Sequence, residues 1–245
     1  MADVIWDRAV PLGTTDECWV FLPPAGDCVV RLAYLLHGQF DTHEDWWGAK
    51  GQIPGILTGL RAPPMILIMP LCVTAPLQDR KFQQEPPLAE FLRRFDVIDK
   101  TVNERYGPRI DQSKRAVLGI SMGGKQALAL QFVRATFAAV GVLSGKLQGG
   151  NKDELLEFAS SFSPGRSSSP RLYFHYCGAG GTDDQYYKSN EVVCSNLGGE
   201  LRSRPNGDHN WWFWRPQIAE FFRVWLKADA AQPPLAEDAP QATPS

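Results

Sequence analysis

Apolar residues recur along the chain in two rhythms. Short apolar runs bounded by Gly, Pro and Asp mark strands near residues 4–10, 17–22, 29–36, 65–69, 115–120, 138–143, 171–177 and 199–203. Between them, apolar positions recur at three- and four-residue intervals. Leu88, Phe91, Leu92, Phe95, Ile98 and Val102 share one helical face, and Ile218, Phe221, Phe222 and Trp225 share another in a helix that begins near Pro216. A further helix runs from Tyr186 to Leu197. Strands that alternate with helices imply a mostly parallel sheet covered on both faces, with ligands at the strands' C-terminal ends.

The boundaries follow from the same pattern. Residues 1–228 read as one α/β domain, a length that buries a sizeable core. Residues 229–245, with Pro233, Pro234, Pro240 and Pro244, hold too little apolar surface to fold and read as a disordered tail. Residues 146–170 are rich in Gly and Ser around the helical Glu154 to Phe158. They read either as a small cap over a site or as a plain surface excursion.

The most informative chemistry lies where one apolar run meets a helix. Gly119-Ile120-Ser121-Met122-Gly123 follows Ala116-Val117-Leu118 and precedes Ala127 to Leu130, so a serine stands at a strand-to-helix turn in the G-x-S-x-G pattern. Glycines at 119 and 123 suit a turn too tight for side chains, and the helix that follows aims its first amides at developing negative charge. A serine hydroxyl is a weak nucleophile, so this candidate requires a histidine base and a carboxylate, in the chain order Ser, Asp, His. Of the four histidines, His37 and His43 precede the serine and His175 lies within a strand. His209, in the loop Pro205 to Trp211, has the required order and setting.

The carboxylate is expected in the loop after the strand that ends at Cys177. That loop reads Gly178-Ala179-Gly180-Gly181-Thr182-Asp183-Asp184, and its two adjacent aspartates compete, one for the base and one for capping the next helix. An oxyanion hole needs the amide of Met122 and a second one from an earlier loop. The strand Arg31 to Leu36 ends in His37-Gly38-Gln39, which makes the N–H of Gln39 the natural second donor and His37 a pin for that loop.

Taken together, these segments resemble the putative-esterase branch of the α/β-hydrolases, which includes feruloyl and acetylxylan esterases, S-formylglutathione hydrolases, enterochelin-type esterases and mycolyltransferases. The resemblance rests on Tyr34-Leu35-Leu36-His37-Gly38, Met65 to Pro70, Gly119 to Gly124, Leu143-Ser144-Gly145, Gly181-Thr182-Asp183-Asp184 and His209 to Trp214. It implies an α/β-hydrolase fold, a mostly parallel central sheet with helices on both faces. It also implies a serine carboxylic-ester hydrolase with Ser121, Asp184 and His209 as triad and Gln39 and Met122 as backbone donors. Asp184 is selected because the family's acid tends to lie in a Gly-Thr-x-Asp-x-apolar pattern. The extra Gly178-Ala179-Gly180 lengthens this loop and keeps Asp183 in contention. Lys125-Gln126 departs from the residues common after the elbow, and Gln39-Phe40 lacks the cysteine typical of S-formylglutathione hydrolases.

Composition narrows the remaining possibilities. A formal charge of −2 with dispersed Lys and Arg offers no basic stripe for nucleic acid. No run is long enough to span a bilayer, and the start Met1 to Asp7 shows no secretory pattern, so a cytoplasmic location is expected. The five cysteines show no C-x-x-C spacing and read as incidental thiols rather than disulfide or metal groups. No metal or organic cofactor is expected. A small-molecule ester is the expected partner, flanked by pocket candidates Phe40, Trp46, Trp47 and Trp211, and the sequence leaves the oligomeric state open. Two rival readings share these residues: an acyltransferase with the same triad, and a non-catalytic binding protein on the same fold.

Overall fold

A single sheet organises the chain. The computed structural model describes residues 10–11, 18–23, 28–72, 86–134, 136–147, 172–196 and 201–230. Among these, eight strands lie in one sheet: β1 (Val10–Pro11), β2 (Cys18–Phe21), β3 (Val30–Leu36), β4 (Met65–Pro70), β5 (Ile110–Ile120), β6 (Ala139–Leu143), β7 (Leu172–Ala179) and β8 (Leu201–Pro205). Six helices accompany them: α1 (His43–Trp47), α2 (Ile53–Gly59), α3 (Leu88–Tyr106), α4 (Met122–Arg134), α5 (Asp184–Asn196) and α6 (Trp211–Ala230). Most of the strand expected at 4–10, residues 148–170 of the cap candidate and the tail from 231 lie outside the described residues.

The sheet order is β1-β2-β4-β3-β5-β6-β7-β8, antiparallel through β1, β2 and β4 and parallel from β4 to β8. After β3 the chain moves to one side for β4, then returns to the other side for β5. The sheet's winding therefore reverses at β3, and the crevice beyond the C-terminal ends of β3 and β5 is where such sheets hold ligands. The loops after β3 and β5 carry Gln39 and Ser121, so topology alone brings these two sequence-distant positions together.

Strand composition explains why this sheet is central. All six residues of β4 are buried, and β3 is buried except at Arg31, as parallel strands covered on both faces require. Alternate residues face opposite ways. Leu32, Tyr34 and Leu36 pack with Phe91, Phe95, Ile98 and Val102 of α3 and with α4. Ala33 and Leu35 pack with Trp46, Ile53, Leu57, Phe221, Phe222 and Trp225 of α1, α2 and α6 on the other face. Edge strand β8 shows the opposite character, with Arg202, Ser203 and Arg204 exposed.

Two elements start five residues earlier than the sequence reading places them. Strand β5 begins at Ile110 rather than 115, since Val30 pairs with Ile110 across an irregular register. Helix α6 begins at Trp211, five residues before Pro216, because Asn210 caps it: Asn210 Oδ1 accepts the Phe213 N–H at 3.1 Å. Pro216 then lies inside the helix, where the bond it cannot make is the one to the carbonyl of exposed Trp212 in the first turn. None of the described helices is long and apolar enough to cross a membrane.

Candidate active site

The turn after β5 has the strain that the sequence pattern implies. Ser121 adopts φ +51°, a left-handed backbone that ordinary residues seldom occupy. A Cβ on Gly119 would lie 2.0 Å from the Gly123 carbonyl oxygen, and one on Gly123 would lie 2.1 Å from the Leu36 carbonyl oxygen. Only glycine fits at either place. The strand after the turn clamps it further: Ser121 N–H donates to Leu143 O at 2.8 Å, and Lys146 N–H donates to Ser121 O at 2.9 Å.

His209 comes to the serine from the loop between β8 and α6. Its Nε2 lies 2.8 Å from Ser121 Oγ and its Nδ1 lies 2.8 Å from Asp183 Oδ1. An ionised carboxylate only accepts, so Nδ1 carries the proton and Nε2 offers its lone pair to the serine hydroxyl. The ring is held on both sides, stacked on Tyr186 at 4.4 Å and set edge-on to Trp214 at 4.9 Å between centroids.

The carboxylate partner corrects the expectation for Asp184. Gly180 and Gly181 at φ +78° and +66° start a short 3-10 turn, Gly181–Asp183, which brings Asp183 inward one residue before the helix α5 begins. Asp183 is fully buried, and its Oδ2 accepts the Gly178 N–H at 2.5 Å and the Ser144 hydroxyl at 2.7 Å. Asp184 is exposed at the first position of α5, where Oδ1 accepts the Gly180 N–H at 2.9 Å. The two roles that the sequence leaves to adjacent aspartates are thus divided in the opposite sense. Backbone contacts bind acid loop to base loop, with Asp183 N–H on Gly207 O at 3.0 Å and Asn206 N–H on Ala179 O at 2.7 Å.

The loop after β3 passes directly over Ser121. A Cβ on Gly38 would lie 3.4 Å from Ser121 Cβ. Asp41 N–H closes a turn onto Gly38 O at 3.2 Å with Gln39 and Phe40 at its centre, Phe40 at φ +67°. His37 is buried and pins this loop: Nδ1–H donates to Gly38 O at 2.7 Å and Nε2 accepts the Cys72 N–H at 2.9 Å. Asp41 Oδ1 accepts Lys50 Nζ at 2.7 Å and the Trp211 indole N–H at 3.1 Å, which ties the loop to α6. Burial raises the Asp41 carboxyl above its ordinary value, against the lowering effect of Lys50. Met122 opens α4, so its amide is among the first N–H groups of the helix, which have no intrahelical acceptor.

Solved structures with this arrangement of sheet and helices include several esterases. A ferulic acid esterase from Anaeromyces mucronatus, in complex with ferulic acid, matches at TM-score 0.68 and 18% identity, over 90% of this chain and 90% of that one. The chain has the α/β-hydrolase fold. S-formylglutathione hydrolase from Staphylococcus aureus matches this chain at TM-score 0.64 and 14% identity, over 89% of this chain and 95% of that one. Enterobactin esterase from Shigella flexneri matches at TM-score 0.65 and 19% identity, over 90% of this chain and 58% of that one. No protein-family model and no curated protein matches the sequence. The resemblance read from the motifs is therefore borne out at the level of the fold.

Around the site, the aromatic residues divide. Phe40 stands exposed beside Gln39. Trp46 is instead fully buried, edge-on to Trp211 at 5.1 Å, and Trp47 stacks on Phe21 at 5.2 Å. Both belong to the core beneath the loop and not to its open face, because α1 turns its apolar side toward the sheet. Trp211 is nearly buried and acts through its bond to Asp41. The sequence reading gave no site contact to two further residues: Tyr186, which stacks on His209 from an ordinary helical pattern, and Ser144, which bonds Asp183 and whose place depends on β6 lying beside β7. Among the described residues, no three His, Cys, Asp or Glu side chains gather as a metal would require, and Cys18, Cys72, Cys177 and Cys194 are buried free thiols.

Proposed function

We propose that this α/β-hydrolase is a serine hydrolase that cleaves carboxylic esters through an acyl-enzyme intermediate. The observation that carries the reading is the unbroken line of hydrogen bonds Asp183, His209, Ser121, with both links at 2.8 Å. Ser121 Oγ attacks the ester carbonyl while its proton passes to His209 Nε2. Asp183, fixed by its own donors, holds the imidazole and stabilises its charge. The amides of Gln39 and Met122 receive the oxyanion in a setting dry enough for such bonds to matter. His209 then gives its proton to the departing alcohol, takes one from the water that attacks the acyl carbonyl, and returns it to Ser121 Oγ as the acid leaves.

The neighbouring structures, a ferulic acid esterase, an S-formylglutathione hydrolase and an enterobactin esterase, support ester or thioester cleavage as the reaction class. A panel of feruloyl, short-chain acyl, thioester and catecholate esters, run with and without an alcohol acceptor, tests it. Release of free acid from at least one member, abolished by Ser121→Ala, is expected. Exclusive formation of a new ester with the alcohol would make the protein an acyltransferase instead.

A further inference from the structure

We propose that Ser144 is a positioning residue for the acid–base pair, holding its hydroxyl proton on the Asp183 carboxylate, the strongest acceptor beside it, while the Trp214 indole occupies one of its lone pairs. The inference rests on the serine-hydrolase reading above. Ser144 follows β6, beside the strand that ends in the acid loop, and is fully buried. Its Oγ lies 2.7 Å from Asp183 Oδ2 and 2.9 Å from Trp214 Nε1. An indole N–H only donates, so it takes a lone pair of Ser144, and the one serine proton turns to the carboxylate. With the Gly178 N–H also on Oδ2, that oxygen is occupied and Oδ1 alone is left for His209. The orientation of the carboxylate, and through it of the imidazole, is therefore set from Trp214 onward.

Backbone geometry strengthens the assignment. Ser144 adopts φ +48°, where a side chain is strained and glycine is not. A purely structural turn gains nothing from serine at such a position, whereas the hydroxyl here satisfies a buried carboxylate and a buried indole at once. The same loop donates Lys146 N–H to Ser121 O and Lys146 Nζ to Gln39 Oε1 at 3.0 Å, so it touches nucleophile, acid and oxyanion loop. Other titratable groups near the pair are Cys177 and Tyr176 on β7, Tyr186 on α5 and Asp208 next to His209 in sequence, while Arg204 on β8 is exposed and acts on Tyr176. Burial first, and the Asp183 charge with it, keep Cys177, Tyr176 and Tyr186 protonated through neutral pH.

The rate of covalent labelling by a fluorophosphonate probe, measured from pH 5 to 9, tests this without knowledge of the substrate. Wild type, Ser144→Ala, Ser144→Gly and Trp214→Phe are compared after circular dichroism has shown each folded. Both hydroxyl-free variants should label about tenfold more slowly on the plateau. Their acid limb should move up by about half to one pH unit, since a carboxylate that loses a donor holds the imidazole's proton more tightly. The Gly variant should melt above the Ala variant yet share its kinetic defect, which separates the hydroxyl from backbone strain. Trp214→Phe should shift the limb the same way by less. Wild-type rates and profile in Ser144→Ala and Ser144→Gly would overturn the assignment, as would a larger defect in Trp214→Phe than in either. A wild type that resists the probe would instead overturn the serine-hydrolase reading beneath it.

Discussion

Asp183 meets the His209 ring at 2.8 Å while the neighbouring Asp184 turns outward to the Gly180 amide. The contrast fixes different outcomes for two adjacent, chemically identical substitutions. Asp183→Asn removes the buried charge that orients the base, so kcat should fall by about 10⁴-fold with KM little changed. Asp184→Asn weakens only a helix start and should cost under about 1 kcal/mol of stability and little activity. Steady-state kinetics on the two variants decides between them.

At the oxyanion loop, the group invoked is the backbone of Gln39 and not its side chain. Gln39→Pro removes the donor and should lower kcat by roughly 10² to 10³-fold if circular dichroism shows the variant folded. Gln39→Ala keeps the amide and loses only the contact with Lys146, so it should retain most activity. Equal defects in both would move the second donor elsewhere in the loop.

The elbow makes a prediction about stability instead of rate. A methyl at 123 would meet the Leu36 carbonyl oxygen at 2.1 Å, and that oxygen belongs to the central strand β3. Gly123→Ala should therefore cost roughly 3 kcal/mol or more, read as a large fall in Tm. An unchanged Tm would mean that the turn can open without disturbing the sheet.

His175 is buried beside the site, its Nε2–H on Asn190 Oδ1 at 2.5 Å and its Nδ1 accepting from Tyr173 at 2.9 Å. Burial lowers its pKa from 6.5 to about 4, and burial lowers that of His43 likewise to about 4. The unfolded chain thus takes up these protons first as pH falls. Stability is complete above pH 6.5 and declines from there toward pH 4. Melting curves should show Tm falling over that range, with a shallower slope in His175→Gln. A Tm flat from pH 7 to 4.5 contradicts this.

Much of the fold was legible because hydrophobic periodicity reports burial directly: all of β4 and the face of α3 follow from it. Ser121 and His209 were legible for a different reason, since strand-to-helix glycines and chain order leave few alternatives. Asp183 was not, because one residue of register depends on how Gly180 and Gly181 use positive φ. Ser144 was visible only as part of a matching segment. Its contact with Asp183 spans 39 residues and arises from the pairing of β6 with β7. The tryptophans misled for a physical reason as well, because proximity in sequence to a site does not say which side of α1 faces the core.

The most direct test is fluorophosphonate labelling of wild type and Ser121→Ala, followed by peptide mass spectrometry. The account predicts one adduct, on Ser121, and none on a Ser121→Ala variant whose circular dichroism and Tm match wild type. Labelling at another serine, or undiminished labelling of the variant, would contradict it.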